Sequence, residues 1–174
     1  MEKVGITFHH KMITNINYKG ELLSVNQFKF SETPPFQTVI KLPSISAKLI
    51  IFPSGKCRIM GVKTPLTSEQ IKNLPFEVKF CKIQSISLCF DLECRVNLLN
   101  LSHKLPRKSY MYEPELFPAM RLLNFNPLCV NLFSSGKLVI LGVKSFGNQT
   151  CLKRIQKFIK LYIPESNFRN ICLH

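Results

Sequence analysis

The chain has no tryptophan, and only four tyrosines stand beside fourteen phenylalanines. Acidic residues are scarce: ten Asp and Glu face 24 Lys and Arg, which leaves a formal net charge of +14 on 174 residues. The seven cysteines (57, 81, 89, 94, 129, 151, 172) are odd in number and include no Cys-x-x-Cys pair. That spacing argues against a zinc ribbon and against a disulfide framework, and for buried thiols in a reducing compartment. No apolar run reaches the ~18 residues that a spanning helix needs. The opening stretch is too short and too broken by His9, His10 and Lys11 to read as a signal peptide. Metal-ligand spacing, a Cys/His dyad and a phosphate-cradling glycine loop are all missing, so no enzyme, metal or cofactor is expected.

What is present fits one ordinary domain or two small fused ones. Apolar residues make up 45% of the chain, enough for a core. The excess of positive charge points to a polyanion, nucleic acid ahead of an acidic membrane surface.

An internal repeat organises the sequence. Residues 52–63 read FPSGKCRIMGVK and residues 133–144 read FSSGKLVILGVK, identical at eight of twelve positions with an offset of 81. Phe36 and Phe117, each beside proline, lie at the same offset. The chain therefore reads as a tandem duplication, 1–80 and 81–174.

Opening strands are expected at 4–12 and 82–92. In the second, Ile86, Leu88, Phe90 and Leu92 alternate with Ser85, Ser87, Cys89 and Asp91. Short helices are expected near 20–28 and 96–104. Strands follow near 36–42, 47–52 and 57–62, with equivalents at 118–125, 128–133 and 138–143. Ser54-Gly55-Lys56 and Ser135-Gly136-Lys137 read as hairpin turns. Leu152, Ile155, Ile159 and Tyr162 or Ile163 share one face of a closing helix, capped by Thr150 or Asn148 and ended by Pro164. The first half offers only a stub, Ser68 to Leu74, before Pro75.

Strand parity leaves both sheet faces substantially apolar, while the helices suffice for one. The other face would expose Ile50, Phe52, Met60, Phe133, Val139 and Leu141, with Phe36 and Phe117 at its ends. Such a surface marks a binding site, or burial in a homodimer or by a second sheet. On a basic protein it suits the DNA minor groove, where apolar wedges enter base steps and lysines neutralise the flanking phosphates. Lys48, Lys56, Lys137 and Arg121 are the candidate phosphate contacts.

YEPELFP at 112–118, the paired F-x-SGK…GVK runs and the duplication together resemble the core of the TATA-box-binding protein (TBP) family. The resemblance covers nearly the whole chain; the first opening strand and 64–80 align weakly. It implies an α+β saddle of two pseudo-symmetric repeats, a curved antiparallel sheet of about ten strands with helices on the convex face. The concave face would bind and bend A/T-rich double-stranded DNA through its minor groove. The four wedging positions match Phe36, Phe52, Phe117 and Phe133. Glu113, Glu115 and Leu116 match the stirrup that engages a TFIIB-like initiation factor. A TFIIA-like factor and the RNA polymerase machinery are further implied partners, and the nucleus, or the site of viral transcription for a viral homologue, is the implied location. The protein would be a monomer on DNA, with a dimer of the free protein left open.

The sequence departs from the family where paired Asn and paired Thr reach the acceptors of the central A·T pairs. Thr7 and Ser85 are assigned to the Asn positions, Met60 and Leu141 to the Thr positions. Arg58, Ser87 and Asn131 replace apolar residues of the concave face. Met60 and Leu141 cannot donate a hydrogen bond, so a looser A/T-rich or deformable site is expected in place of a strict TATA element. The shortened 64–80 segment removes most of a basic helix on which family regulators dock, so a reduced partner set is expected. A TBP-like interaction module that sequesters a TFIIB-like factor, with weak or relaxed DNA binding, is the alternative.

Overall fold

The computed structural model describes residues 13–144 and 149–163. These form two compact units, one on Ile13–Ile86 and one from Ser87 onward. In the first, β1 (Ile13–Leu22), β2 (Thr38–Leu42), β3 (Ala47–Ile51) and β4 (Lys56–Val62) precede the five-residue α1 (Ser68–Lys72) and the start of β5 (Val78–Asp91). Their order in the sheet is β2-β3-β4-β1-β5. In the second unit, β5 is followed by α2 (Leu98–Lys104), β6 (Tyr110–Met111), β7 (Ala119–Leu122), β8 (Cys129–Phe133), β9 (Lys137–Val143) and α3 (Gln149–Tyr162). Here the order is β5-β9-β8-β7-β6. The class is α+β, and the β2-β3, β3-β4, β1-β4, β6-β7, β7-β8 and β8-β9 pairs are all antiparallel.

The 81-residue offset holds in three dimensions across β3–β4 and β8–β9 and slips by one at β2 and β7, where Thr38 pairs with Ile51 but Met120 pairs with Leu132. β4 and β9 coincide at that spacing, as do four left-handed glycines: Gly55 and Gly136 (φ 79° and 85°), then Gly61 and Gly142 (φ 92° and 86°). Gly55 N–H donates to the Phe52 carbonyl at 2.9 Å and Gly136 N–H to the Phe133 carbonyl at 3.0 Å. Each glycine closes a tight hairpin in a conformation that L side chains rarely adopt.

The strand expected at 4–12 lies outside the described residues; the first described strand is β1 at Ile13–Leu22, for which no strand was expected. There is no helix near 20–28. Those residues finish β1 and enter a connection without helix. Leu22 N–H bonds to the Gly55 carbonyl at 2.9 Å and Leu92 N–H to the Gly136 carbonyl at 3.0 Å, so Leu22 and Leu92 are equivalent. Fourteen positions separate Leu22 from Phe36 and twenty-five separate Leu92 from Phe117. The helix-bearing segment of the second half has no room in the first.

α2 and α3 lie where the periodicity places them, and their apolar faces are buried through Leu98, Leu101, Leu152, Ile155 and Ile159. Asn97 caps α2 by accepting from the Asn100 N–H at 2.9 Å. The caps expected for α3, Asn148 and Pro164, lie outside the described residues, while Thr150 is within the helix. One sheet face in each unit is sealed: Ile16, Leu49 and Ile51 in the first, Leu88, Val130, Leu132 and Leu138 in the second, are all fully buried. Of the cysteines only Cys57 is buried; Cys81, Cys89, Cys94, Cys129 and Cys151 are half-exposed free thiols, and Cys172 lies outside the described residues. The expectation of buried thiols therefore holds at one position, because strand alternation puts Cys89 and Cys129 on the unsealed face.

Candidate nucleic-acid interface

The face opposite the sealed one carries the predicted site. In the first unit it presents Lys48, Ile50 and Phe52 from the β3 run and Arg58 and Met60 from β4. Ile50 pairs with Arg58 and Lys48 with Met60, so the side chains form cross-strand couples. In the second unit Asn131 pairs with Val139 and Cys129 with Leu141, the same positions one repeat later. Met60 and Leu141 are exposed, and Ile50, Phe52, Phe133 and Val139 are half-buried. Asn131 is nearly buried at 6% exposure, with the Cys129 thiol donating to its Oδ1 at 3.8 Å.

The four phenylalanines occupy the strand ends. Phe36 precedes β2 and is 52% exposed; Phe117 precedes β7 and is 43% exposed. The Phe117 and Phe133 rings meet edge to face with centroids 6.1 Å apart. Phe117 is held by a turn in which its N–H and that of Leu116 both donate to the Glu113 carbonyl, at 2.9 and 3.0 Å. The same turn leaves Glu113, Glu115 and Leu116 exposed, Leu116 at 80%. In the first unit the Arg58 guanidinium carbon lies 6.0 Å from the Phe52 ring centroid, a cation–π arrangement. Lys48, Lys56, Lys137 and Arg121 are all exposed, and Arg121 lies beside Asn131 in the β7–β8 pair.

β1 supplies what the sequence reading missed. Counting back from Leu22 and Leu92, Asn15 is the counterpart of Ser85 and Asn17 of Ser87. Thr7, assigned to that position from sequence, lies outside the described residues, and Asn15 takes its place. The Asn15 Oδ1 accepts the Gly61 N–H at 2.8 Å, and its Nδ2 donates to Asn17 Oδ1 at 3.1 Å. Asn17 Nδ2 in turn donates to Ser85 Oγ at 3.2 Å. Asn17 sits at a break in the β1–β4 register, where an extra residue re-aims its neighbours. Lys19, on the same face, joins Lys56, Arg58, Lys82, Gln84 and Phe52 around one depression. The signal was the alternation of Ile16 and Tyr18 with Asn15, Asn17 and Lys19, which matches SISL at 85–88.

Burial pushes the Cys57 thiol up to about 11, with the neighbouring Cys81 adding to it. Burial also raises Cys89, against the pull of Lys137, so the thiol facing the open side is neutral at physiological pH. Among the described residues no group of three or more His, Cys, Asp or Glu is arranged to hold a metal ion.

The model of the family described as "Transcription factor TFIID (or TATA-binding protein, TBP)" matches residues 80–161. The chain is 31% identical to the TATA-box-binding protein of Tetrahymena thermophila over 92% of its own length and 70% of that protein's. The chain belongs to the TATA-box-binding protein family. It is also 30% identical to a TBP-related factor of Drosophila melanogaster, over 83% of this chain and 71% of that one. The solved structure of Methanococcus jannaschii TBP superposes with a TM-score of 0.62 at 28% identity, covering 88% of this chain and 98% of that one. TBP family membership makes it a TBP-like transcription factor, in a family of DNA-binding proteins that do not work as enzymes. The family model matches from residue 80 onward, whereas the connections that are shortened lie before it, in residues 22–36 and 63–77.

Proposed function

We propose that the protein is a general initiation factor that inserts Phe36, Phe52, Phe117 and Phe133 into the minor groove of A/T-rich promoter DNA, bends it, and recruits a TFIIB-like factor. The observation that supports this reading is that Phe52 and Phe133 end their strands on the unsealed face, Phe117 packs edge to face on Phe133, and Phe36 is exposed just ahead of β2, none of the four belonging to the buried core. Flat apolar rings at such positions can enter base steps, and pyrimidine–purine steps unstack at least cost. Lys48, Lys56, Lys137 and Arg121 supply charge for the flanking phosphates. Asn15 restores one amide that can donate to minor-groove acceptors, whereas Ser85, Met60 and Leu141 keep the preference looser than a strict TATA element. The exposed Glu113-Pro114-Glu115-Leu116 turn is the surface offered to the TFIIB-like partner. A TFIIA-like factor has less to hold, because α1 is five residues long where α3 has fourteen. The working location is the nucleus, or the site of viral transcription for a viral homologue.

The experiment is a mobility-shift and FRET bending titration on A/T-rich duplexes, with and without a TFIIB-like factor. Bending by the protein, and a ternary complex lost in Glu115→Arg, are the expected results. The alternative, a module that sequesters the TFIIB-like factor and binds DNA weakly, is favoured by Met60 and Leu141 at donor positions. It predicts partner binding with no bent complex. A randomised-site selection that returned a sharp TATAAA-type consensus would contradict the relaxed preference.

A further inference from the structure

The open faces of the two repeats have different hydrogen-bonding chemistry at equivalent positions. Lys19 in the first repeat corresponds to Cys89 in the second, Lys48 to Cys129, and Arg58 to Val139. The last two equivalences follow from register: Arg58 pairs with Ile50 and Val139 with Asn131, while Lys48 pairs with Met60 and Cys129 with Leu141. β4 is the middle strand of its unit, so Arg58 stands at the centre of that face and beside the Phe52 wedge, 6.0 Å from the ring centroid. Lys19 and Lys82 line the same depression. The carboxylate there, Glu21, is engaged by Lys79 at 2.7 Å. Guanidinium and ammonium groups donate hydrogen bonds and accept none. At those three positions the second repeat has half-buried thiol or hydrocarbon, Cys89, Cys129 and Val139, and Asn131 is nearly buried. Arg121, which pairs with Asn131 across the β7–β8 strands, lies out toward the edge of its unit.

The floor of the minor groove distinguishes these two surfaces. An A·T pair offers only acceptors there, adenine N3 and thymine O2, whereas a G·C pair adds the guanine 2-amino donor. The Arg58 guanidinium, which has no acceptor, meets that amine with donor against donor and an unpaired buried charge. A hydrocarbon and thiol surface has no such conflict.

We infer that Arg58 makes the first repeat the discriminating half, so that the DNA site is asymmetric: A·T is required under the first repeat and G·C is tolerated under the second. The same asymmetry fixes the direction in which the protein sits on a promoter. This rests on the minor-groove reading above and specifies it.

The test is a scan in which each A·T pair of a bound A/T-rich duplex is replaced by G·C, with affinity and bending read separately. A parallel series uses inosine·cytosine, which lacks the 2-amino group. The expected result is a penalty of roughly tenfold or more per G·C pair confined to one half of the site and relieved by inosine. Arg58→Val, which installs the residue found at 139, should flatten the profile to within about threefold, read as the ratio of G·C to A·T affinity at each position and so independent of any overall loss of binding. The combined Arg58→Val, Val139→Arg variant should move the intolerant half to the other side. Arg58 is exposed and Val139 half-buried, so matching far-UV spectra and melting curves establish that the variants fold. A symmetric penalty in the wild-type chain overturns the inference, and so does a profile unchanged by Arg58→Val; in either case the protein still binds and bends DNA. Failure of the wild-type chain to bind any of the duplexes overturns this inference and the DNA-binding reading together.

Discussion

Gly55 and Gly136 occupy equivalent hairpins with nearly equal dihedrals, yet their surroundings differ. A Cβ on Gly55 would meet nothing closer than 3.8 Å, whereas one on Gly136 would lie 2.1 Å from the Cys94 carbonyl oxygen. The second repeat thus packs its β5–α2 connection directly on the hairpin, whereas the first keeps Leu22 and Val25 at ordinary van der Waals distance. The contrast recurs through the molecule. The second repeat carries a fourteen-residue α3 and a capped α2; the first carries the five-residue α1 and a connection eleven residues shorter. Duplication preserved the strand scaffold, and divergence acted on what is attached to it. The second repeat keeps the better-defined hydrophobic body, while the first carries more charge on its open face.

That contrast breaks first, and with the largest effect, at the two glycines. Gly136→Ala forces a β-carbon into a backbone carbonyl as well as into a left-handed conformation, and should cost about 4 kcal/mol or more. Gly55→Ala carries the conformational strain alone, about 1–2 kcal/mol. Urea melts of the two variants check this; equal losses would mean that the hairpins are packed alike.

The aromatic couples come next. Replacing Phe52 and Phe133 together by alanine should abolish bending, lower affinity roughly a hundredfold, and leave a weak association that dissociates as salt is raised. The two singles should differ. Phe133→Ala removes the edge contact that orients Phe117, so it should weaken two wedges, whereas Phe52→Ala leaves Arg58 to hold its end of the site. FRET bend angles for the single and double variants check the order; bending that survives the double change contradicts wedging.

The second repeat was the more legible of the two for reasons visible in its residues. Ser85 to Leu92 alternates strictly, the 152–163 periodicity carries no competing break, and the SGK turns announce their glycines. The first repeat hid its opening strand because Asn15, Asn17, Lys19 and Gly20 lack strand propensity, while the β-branched and aromatic run at 4–8 has it. Leu22 and Leu23 suggested a helix, but the distance to Phe36 leaves no space for one. Chain connectivity overrode local preference. At the candidate site, parity put Phe52, Phe133, Arg58 and Met60 on one face, and the repeat offset picked out Phe36 and Phe117 just ahead of β2 and β7. Asn15 and Lys19 were missed because their strand was missed, and alternation, which puts Asn131 on the open face, does not show that its neighbours Arg121, Cys129 and Val139 leave it nearly buried.

Tyr18 sharpens the comparison at smaller scale. Its hydroxyl accepts the Leu66 N–H at 2.7 Å and so pins the connection that replaces a long helix in the first repeat. Leu88 stands at the equivalent point of the second. Tyr18→Phe leaves that amide without its partner and should cost about 1–2 kcal/mol, with faster hydrogen exchange at Leu66 and its neighbours. Leu88→Met, the volume-conserving control, should cost less.

The smallest expected effect is a pH dependence particular to the first repeat. Cys57 is 4% exposed, and its thiol is raised from 9.0 to about 11, first by burial and then by Cys81; Leu138 is its counterpart. In the unfolded chain the thiol ionises near its ordinary value, so above about pH 9 the unfolded state loses the proton first. The contribution to stability is therefore fully present below pH 9 and is lost as pH climbs toward 11. Cys57→Ala lowers stability at every pH but removes this slope. Between pH 8 and 10.5 the wild-type melting temperature should fall about 2–4 °C further than that of the variant. Lysine and tyrosine titrations are common to both proteins and cancel in the difference. Parallel slopes would place the Cys57 thiol in contact with water, and the first repeat would then be as loosely sealed on its covered face as it is on its open one.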